Sequence, residues 1–451
     1  MDSNKQYIVT IEICSSKIVG VVGEKSPGGS VSVVAIEADS VSPDCVRRGF
    51  VQNVEEAKQH VQSVIKRLES HISPSKIRSV YVGVAGRSLH NMPVEIDVEL
   101  DPNQLISEDI INNIVRKCRS MNIEGEILDV VPCIYELDGS QETRTPIGSY
   151  SSRIKAKMNL IVAKTTLKRN LERVFDSIIK VQGYMITPLV VADRILNNDE
   201  RQLGCMLVDF GAETTTVSIY KNDALRYIAT LPMGSRLITL DITNMNIIES
   251  KAEDLKRTVN SLELEVKNEP IIDGVKVTDV SNYVVARVGE ICANIAEQIN
   301  YAGLSVEGLA AGVTLIGGGS RLNGFSSYLE KTLKLKVVNG HHCPYVNILT
   351  PDAGNFEYIQ SVALVATAAE MINHNDNCVY TPKEKPVEPP VTDEVTDNER
   401  DERDEQAERK PRAIDSILST VKWKIANIFK DGDDESDDDN YSDDDEKSDK
   451  Y

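Results

Sequence analysis

Residues 208–220 read VDFGAETTTVSIY. An apolar strand runs into a glycine turn and out into a second β-branched strand, which is how a backbone cradle for phosphate is often built. Glu213 places a carboxylate inside that turn. The stretch therefore reads in three ways: a nucleotide site that accommodates an acid, a nucleotide site that has died, or an ordinary hairpin. Two other turns share the chemistry. Glu12-Ile13-Cys14-Ser15-Ser16-Lys17 ends a strand on a carboxylate and offers hydroxyls, backbone N–H groups and a lysine that would meet phosphate as a point charge. Leu315-Ile316-Gly317-Gly318-Gly319-Ser320 runs a strand into glycines ahead of a helix predicted around 325–333, where a ligand approaches bare backbone. One such turn alone is more often hairpin chemistry. Three of them, in order and at wide spacing, are far more specific.

Composition bounds what these turns belong to. A chain of 451 residues accommodates two or more domains. Its net charge of −20 is unevenly placed: residues 431–451 carry twelve carboxylates against Lys447 and Lys450, a net of −10, and residues 380–412 carry −4. Residues 413–430 are +2, which leaves −8 for residues 1–379. That body has no basic footprint of the kind nucleic acid requires, so no nucleic-acid partner is expected. The eight cysteines are scattered, without C-x-x-C pairs or zinc-ligand spacing, and read as reduced thiols filling small core spaces. His341-His342-Cys343 is the one candidate metal cluster, and neighbouring residues of a strand face opposite sides, which argues against it. No signal-peptide pattern opens the chain and nowhere do about 18 apolar residues run uninterrupted, so a protein neither secreted nor membrane-spanning is expected.

Periodicity predicts strands at 7–13, 17–23 and 30–37, a helix at 54–70, a strand at 77–85 and a helix at 170–182. The strand pair 203–210 and 215–220 then repeats the opening strand–turn–strand, which suggests an internal duplication. From Tyr380 onward, prolines and dense charge with few large apolar residues predict a disordered linker.

The ordered turns resemble the phosphate-1, phosphate-2 and adenosine motifs of the actin, chaperone and sugar-kinase ATPase superfamily. Within it the chain resembles the FtsA family of bacterial cell-division proteins, through IEICSSKIVGVVGE, VRRGFVQNVE, IRSVYVGVAGRSL, ILDVVPCIYELDG, TPIGSYSSRIKAKMNLIVA, VDFGAETTTVSIY, DALRYIATLPMGS, AEDLKR and LAAGVTLIGGGSRLNG, in the family's order. The resemblance covers nearly all of residues 5–375. It implies an α/β, actin-like two-lobed ATPase fold with duplicated sheet-and-helix cores and an FtsA-type inserted subdomain. The expected divisions are a first lobe at 1–82 and 161–202, the inserted subdomain at 83–160, and a second lobe with the final first-lobe segment at 203–379. A disordered linker at 380–412, an amphipathic helix at 413–430 and an acidic disordered tail at 431–451 follow.

The same resemblance implies ATP and Mg²⁺ as ligands. Glu12 and Asp209 match the strand-end acids that face Mg²⁺ through water; Ser15, Ser16 and Lys17 match the first phosphate loop, and Gly211, Thr214 and Thr215 the second. Glu253 and Lys256 match helix positions that contact adenosine, and Gly317, Gly318 and Gly319 the glycines under base and ribose. Read without the family, Glu253 and Lys256 are an i,i+3 charge pair on an exposed helix. The chain departs from the pattern at Cys14, Ala212 and Glu213, where glycines are usual. A carboxylate about 4 Å from phosphate costs on the order of 4 kcal/mol at an effective dielectric of 20. A live site therefore requires Mg²⁺ or Lys17 to offset Glu213, or its side chain to point away from the phosphates or toward the metal; since the strand resumes at Thr214–Thr216 and the acids, the lysine and the remaining glycines are kept, a live site is the reading preferred. No water-orienting group is marked in Thr187–Ala192 beyond the threonine, so hydrolysis is expected to be slow at most and no catalytic residue is assigned.

The partners implied are the FtsZ C-terminal peptide at residues 240–300, further copies of the chain in a filament, later division proteins, and an anionic membrane surface on the cytoplasmic face of the inner membrane at the division site. The membrane contact falls on AIDSILSTVKWKIANIFK. Ile414, Ile417, Leu418, Val421, Ile425, Ile428 and Phe429 form one helical stripe, with Lys422 and Lys424 off it and Trp423 near its border. A second reading is a soluble chaperone-like or kinase-like ATPase whose C-terminal helix binds a partner protein.

Overall fold

The computed structural model of the chain describes residues 5–258, 262, 271–272, 274–340, 343, 346–349, 356–373 and 376–382. The expected linker from 383 on, the 413–430 helix with all its membrane-facing residues, and the acidic tail lie outside the described residues, as do His341 and His342.

Three strands open the chain: β1 (Gln6–Ile13), β2 (Lys17–Lys25) and β3 (Val31–Ser40). From Ile8 on, β1 is buried on both faces, which is why it reads as an unbroken apolar run, whereas β3 alternates. A two-residue pair, β4 (Val46–Arg47) and β5 (Phe50–Val51), leads into α1 (Val54–His71). The Asn53 side chain accepts the Glu56 N–H at 3.1 Å and starts this helix. Its stripe Ala57, Val61, Val64 and Leu68 is buried against the sheet. The fit is close: a Cβ on Gly20 would lie 2.6 Å from Val64 and 2.7 Å from Leu68. The chain then returns through β6 (Lys76–Ile77) and β7 (Ser79–Val84).

Next come β8 (His90–Leu105), α2 (Glu108–Arg119), β9 (Glu126–Leu137), β10 (Gln141–Thr143) and β11 (Tyr150–Ala163), which enclose a small separate core around Ile106, Ile114, Tyr135, Ile154 and Leu160. The helix expected at 170–182 is found only over 170–175. There α3 spans Thr165–Phe175, and β12 spans Lys180–Ile186, pairing parallel with β7. The apolar stripe Leu167, Leu171, Val174 and Phe175 ends at Phe175, Ser177 adopts a left-handed φ of 64°, and sheet pairing claims the residues beyond it. After α4 (Thr187–Ile195) and α5 (Asn198–Leu203) the opening pattern returns as β13 (Cys205–Phe210), β14 (Thr215–Lys221) and β15 (Ala224–Leu231). Then follow α6 (Ser235–Thr243), α7 (Glu249–Thr258), the short β16 (Ile271–Ile272) and β17 (Val275–Lys276), α8 (Val277–Tyr301), β18 (Gly312–Ile316), α9 (Phe325–Leu333) and β19 (Val337–Asn339). The chain ends its described path with β20 (Val346–Ile348), α10 (Ile359–Met371) and β21 (Val379–Tyr380).

The duplication is visible in strand order. The first sheet runs β12-β7-β1-β2-β3-β20, and the second contains β15-β14-β13-β18-β19. Numbered within each repeat, both run 5-4-1-2-3, with the first two pairings antiparallel and the 1-4 pairing parallel. One core cluster lies mostly in the first repeat and takes in Cys205, Leu207, Tyr220, Leu225, Ile228 and Ile316 of the second, and another lies in the second repeat; the duplicated sheets make the fold the two-lobed actin-like one. The inserted strands continue the second sheet as β10-β9-β11-β8, joined to β15 by one paired position, His90 with Ala229. Side-chain amides reinforce this thin seam: the buried Asn159 donates to the Leu225 carbonyl at 2.7 Å, and the partly buried Asn91 accepts the Ile228 N–H at 2.9 Å. At the other end, Val379 and Tyr380 pair with Ile77 and Lys76, and the Thr381 and Ser75 hydroxyls lie 2.9 Å apart. Tyr380, where the linker was expected to start, thus stands in a strand pair.

Candidate functional site

The first and second turns, Cys14-Ser15-Ser16 and Gly211-Ala212-Glu213-Thr214, occupy equivalent places in the two lobes, at the ends of β1 and β13, the central strands of their repeats. Sheet geometry therefore brings Glu12 and Asp209 to one locality. Glu12 is buried, Asp209 is partly exposed with its Oδ1 buried, and α10 reaches both: Ser361 Oγ donates to Glu12 Oε2 at 2.7 Å, and Gln360 Nε2 donates to Asp209 Oδ2. Burial raises the Glu12 carboxyl above its ordinary range. It pushes Asp209 up to about 7, with the negative charge of Glu12 adding to the effect. Asp209 Oδ1 is buried with no hydrogen-bond partner among the described residues. Two desolvated carboxylates, one with an orphaned oxygen, form a hard oxygen donor set that a divalent cation such as Mg²⁺ would satisfy, directly or through water.

The third turn closes over this pair. Gly317 has φ +89°, and a Cβ there would lie 2.4 Å from the Phe210 carbonyl and 2.5 Å from Asp209 Oδ1. Gly319 is closed off by the Phe210 ring at 2.8 Å, whereas a Cβ on Gly318 would meet nothing within 4 Å. Gly317 and Gly319 are thus required for packing on β13, and Gly318 presents open backbone. In the second turn the Gly211 N–H donates to the Thr214 carbonyl at 2.9 Å, and the N–H groups of Ser235 and Arg236 cap the Gly211 and Ala212 carbonyls at 3.0 and 2.8 Å. The carbonyls are thereby taken up from behind by the start of α6.

Glu213 answers the question its turn raises. Its two oxygens accept from the Arg48 N–H at 2.6 Å and from Arg236 Nη1 at 2.8 Å, so the carboxylate is paired with a guanidinium that it shares with Glu249 and ties the first lobe to the second. The acid need not be offset by a ligand.

The other expected residues divide. Ser15 Oγ accepts the Gly49 N–H at 3.0 Å, which fixes the first turn against the segment after β4, and Ser16 is exposed. The Lys17 ammonium pairs with Glu357 and lies 4.5 Å from the centre of the Tyr358 ring. Thr215 is fully buried and donates its hydroxyl to the Met233 carbonyl at 2.7 Å, so its side chain belongs to the core. Glu253 and Lys256 do form an i,i+3 pair at 2.7 Å, yet Lys256 is only 6% exposed, contrary to an exposed helix surface. Its ammonium donates to Thr239 Oγ1 at 3.0 Å and to the Ser235 carbonyl at 3.2 Å, locking α7 onto α6 below the second turn. Burial lowers the Lys256 pKa, against the pull of Glu253. Thr187, the one polar side chain expected near a water-orienting position, is buried, and a Cβ on Gly83 would lie 2.7 Å from its hydroxyl.

Gln360, Ser361, Glu357, Arg48 and Arg236 belong to the site and were not singled out from the sequence. The usable signal was Gln360-Ser361 at the start of an otherwise apolar helix, where polar side chains on a buried face need a specific partner.

Comparison with known proteins agrees with this architecture. Residues 206–369 match the family model described as cell division protein FtsA, and residues 86–162 match the SHS2 domain inserted in FtsA, together just over half of the chain. The chain is 29% identical over 345 residues to the cell division protein FtsA of Porphyromonas gingivalis, covering 73% of this chain and 71% of that protein. It is 27% identical over 356 residues to the FtsA of Neisseria meningitidis, covering 75% and 85%. Among solved structures, a chain of the PilM-PilN type IV pilus biogenesis complex superposes with a TM-score of 0.58 at 15% identity, covering 80% of this chain and 98% of its own, which is a likeness of fold.

Proposed function

Because this chain belongs to the FtsA family of cell-division proteins, we propose that it binds Mg–ATP between its lobes, polymerises along the inner face of the cytoplasmic membrane and tethers FtsZ filaments there, recruiting later division proteins. The observation that carries the nucleotide part is the convergence of Glu12 and Asp209, one from each lobe, with an orphaned Asp209 oxygen beside the close-packed Gly317. In the bound state Mg²⁺ would supply the charge that these acids lack and that a triphosphate needs. The chain's own part is to hold the two acids through Ser361 and Gln360, to expose backbone at Gly318, and to keep Glu213 occupied by Arg236. Hydrolysis is slow at most in this reading, because Thr187, the one polar side chain expected near a water-orienting position, is buried.

Membrane attachment rests on the 413–430 stripe, since no helix of the described residues is long and apolar enough to cross a membrane. Assembly through a head-to-tail, non-closing contact gives a filament rather than a ring. On monolayers of anionic lipid with Mg–ATP, the full chain is expected to form filaments visible by negative-stain electron microscopy. Isolated particles alone, at protein concentrations that saturate the surface, would contradict the assembly part of the reading.

A further inference from the structure

Away from the site between the lobes, on the flank of α1 beside β3 and β4, three chemically distinct side chains meet. The Cys45 sulfur, the Glu56 carboxylate and a ring nitrogen of His60 all lie within 4.8 Å of one another. We propose that Cys45, Glu56 and His60 form a binding site for a single thiophilic divalent cation of the zinc class, with His60 oriented from behind by Asp39.

Each side chain is aimed by its local structure. Cys45 is fully buried, and its backbone is pinned on both sides: its N–H donates to the Ser42 carbonyl at 3.1 Å, and its own carbonyl accepts from Gln52 and Asn53 at 2.8 and 3.3 Å. Glu56 and His60 stand four residues apart on α1 and so share one face, with Glu56 Oε1 4.0 Å from His60 Nε2. Asn53 Nδ2 donates to Glu56 Oε2 at 3.2 Å, which leaves Oε1 directed at the imidazole. The second ring nitrogen of His60, Nδ1, lies 2.9 Å from Asp39 Oδ2 on β3. A carboxylate behind a histidine in this way selects the tautomer that donates from Nδ1 and presents the lone pair on Nε2, the arrangement that orients histidines toward zinc.

The donor types select the ion. Thiolate, imidazole and carboxylate together suit zinc far better than magnesium or calcium, which prefer oxygen alone. In a tetrahedral zinc site with bonds of about 2.0–2.3 Å the ligand atoms lie about 3.3–3.8 Å apart, so closure asks for a contraction of about 1 Å. The half-exposed Glu56 and His60 side chains, at 34% and 26% of their surface, have room to make it and give an ion its way in. On binding, the sulfur–zinc bond replaces the S–H bond and the thiol proton leaves to solvent; nothing is oxidised or reduced. Three protein ligands leave the fourth position to water.

The position gives the ion a mechanical consequence. Three and four residues after Cys45, the Arg48 N–H donates to Glu213 of the second lobe and the Gly49 N–H donates to Ser15 of the first turn. An ion held at Cys45 braces the segment from which both bonds are made.

The test uses the full chain, stripped with a chelator and titrated with zinc by calorimetry and with cobalt by absorption. One ion per chain is expected, with a thiolate-to-cobalt charge-transfer band in the near ultraviolet. Cys45→Ser is expected to abolish that band and His60→Gln to abolish stoichiometric binding, while Asp39→Asn keeps the band and weakens zinc by about tenfold to a hundredfold. Thermal unfolding of each metal-free variant checks folding; His60→Gln, at a partly exposed position, decides if the serine variant does not fold. Failure of the wild-type chain to bind zinc would overturn the proposal. So would stoichiometric binding with an intact sulfur band in His60→Gln, which would place the ion elsewhere, for example at His341–Cys343.

Discussion

Replacing Asp209 by alanine is expected to weaken Mg–ATP binding roughly a hundredfold. A carboxylate about 4 Å from a unit positive charge contributes about 4 kcal/mol at an effective dielectric of 20, and intervening water reduces that. The same residue has the opposite effect on the metal-free protein. Burial, and then the charge of Glu12, push the Asp209 carboxyl to about 7, above its value in the unfolded chain. A group with a raised folded-state pKa contributes stability that is fully present below the unfolded pKa, near 4, and is lost as pH rises through the folded one. Metal-free protein should therefore lose on the order of 4 kcal/mol from this group between about pH 4 and pH 8, as an upper figure. Asp209→Asn keeps the shape without the charge. Its metal-free form is expected to melt higher than wild type at about pH 8, with the gap closing toward about pH 4, while its nucleotide affinity falls. Calorimetric titration with Mg–ATP and thermal melts across pH check both halves. Unchanged affinity in Asp209→Ala would remove this residue from the site.

Loss of the amphipathic stripe is expected to release the protein from lipid altogether. Removing residues 413–451, or changing Ile425 and Phe429 to Glu, takes away or breaks the apolar stripe that the sequence places on an expected helix, whose burial would be worth several kcal/mol at about 25 cal/mol per Å², with each nearby lysine adding roughly 1 kcal/mol at an anionic surface. The twelve carboxylates of residues 431–451 oppose that attraction, since they begin within about one Debye length, roughly 8 Å at physiological salt. Deleting only 431–451 should accordingly strengthen flotation with anionic vesicles, more at low salt than at high. Equal flotation of full-length and tail-deleted protein at low salt would dispose of the electrostatic role, and flotation that survives removal of the stripe would dispose of the anchor.

Much of this architecture was legible because it is local. The β1–β2 and β13–β14 hairpins, α1 and α9 are written as apolar period and turn chemistry within a few residues, and α9 was expected over the residues it occupies. The segment 170–182 misled because Ile178, Ile179 and Val181 continue an apolar spacing that a helix would also show, while the parallel pairing of β12 with β7 depends on residues a hundred positions away. The site followed the same division. Glu12, Asp209 and the glycines stand at strand ends and could be picked out by position, and Thr215 was misassigned to the ligand because its neighbour Thr214 lies in the turn while it faces the core. Gln360, Ser361 and Arg48 reach the acids and Glu213 from segments about 150 to 350 residues distant in sequence. Nothing in their own neighbourhoods states that contact. The environment of Glu213 was likewise beyond local reading, because the guanidinium that pairs with it comes from α6 and the amide from the other lobe.

The proposed tethering of FtsZ to membrane by the ATP-bound chain is tested most directly by flotation of FtsZ itself. Purified FtsZ is mixed with anionic vesicles and Mg–ATP, with the full chain, with the chain ending at residue 412, or with neither, and the floated fraction is assayed. FtsZ is predicted to float only with the full chain, and less when ATP is withheld. FtsZ that stays in solution although the full chain itself floats would contradict the account.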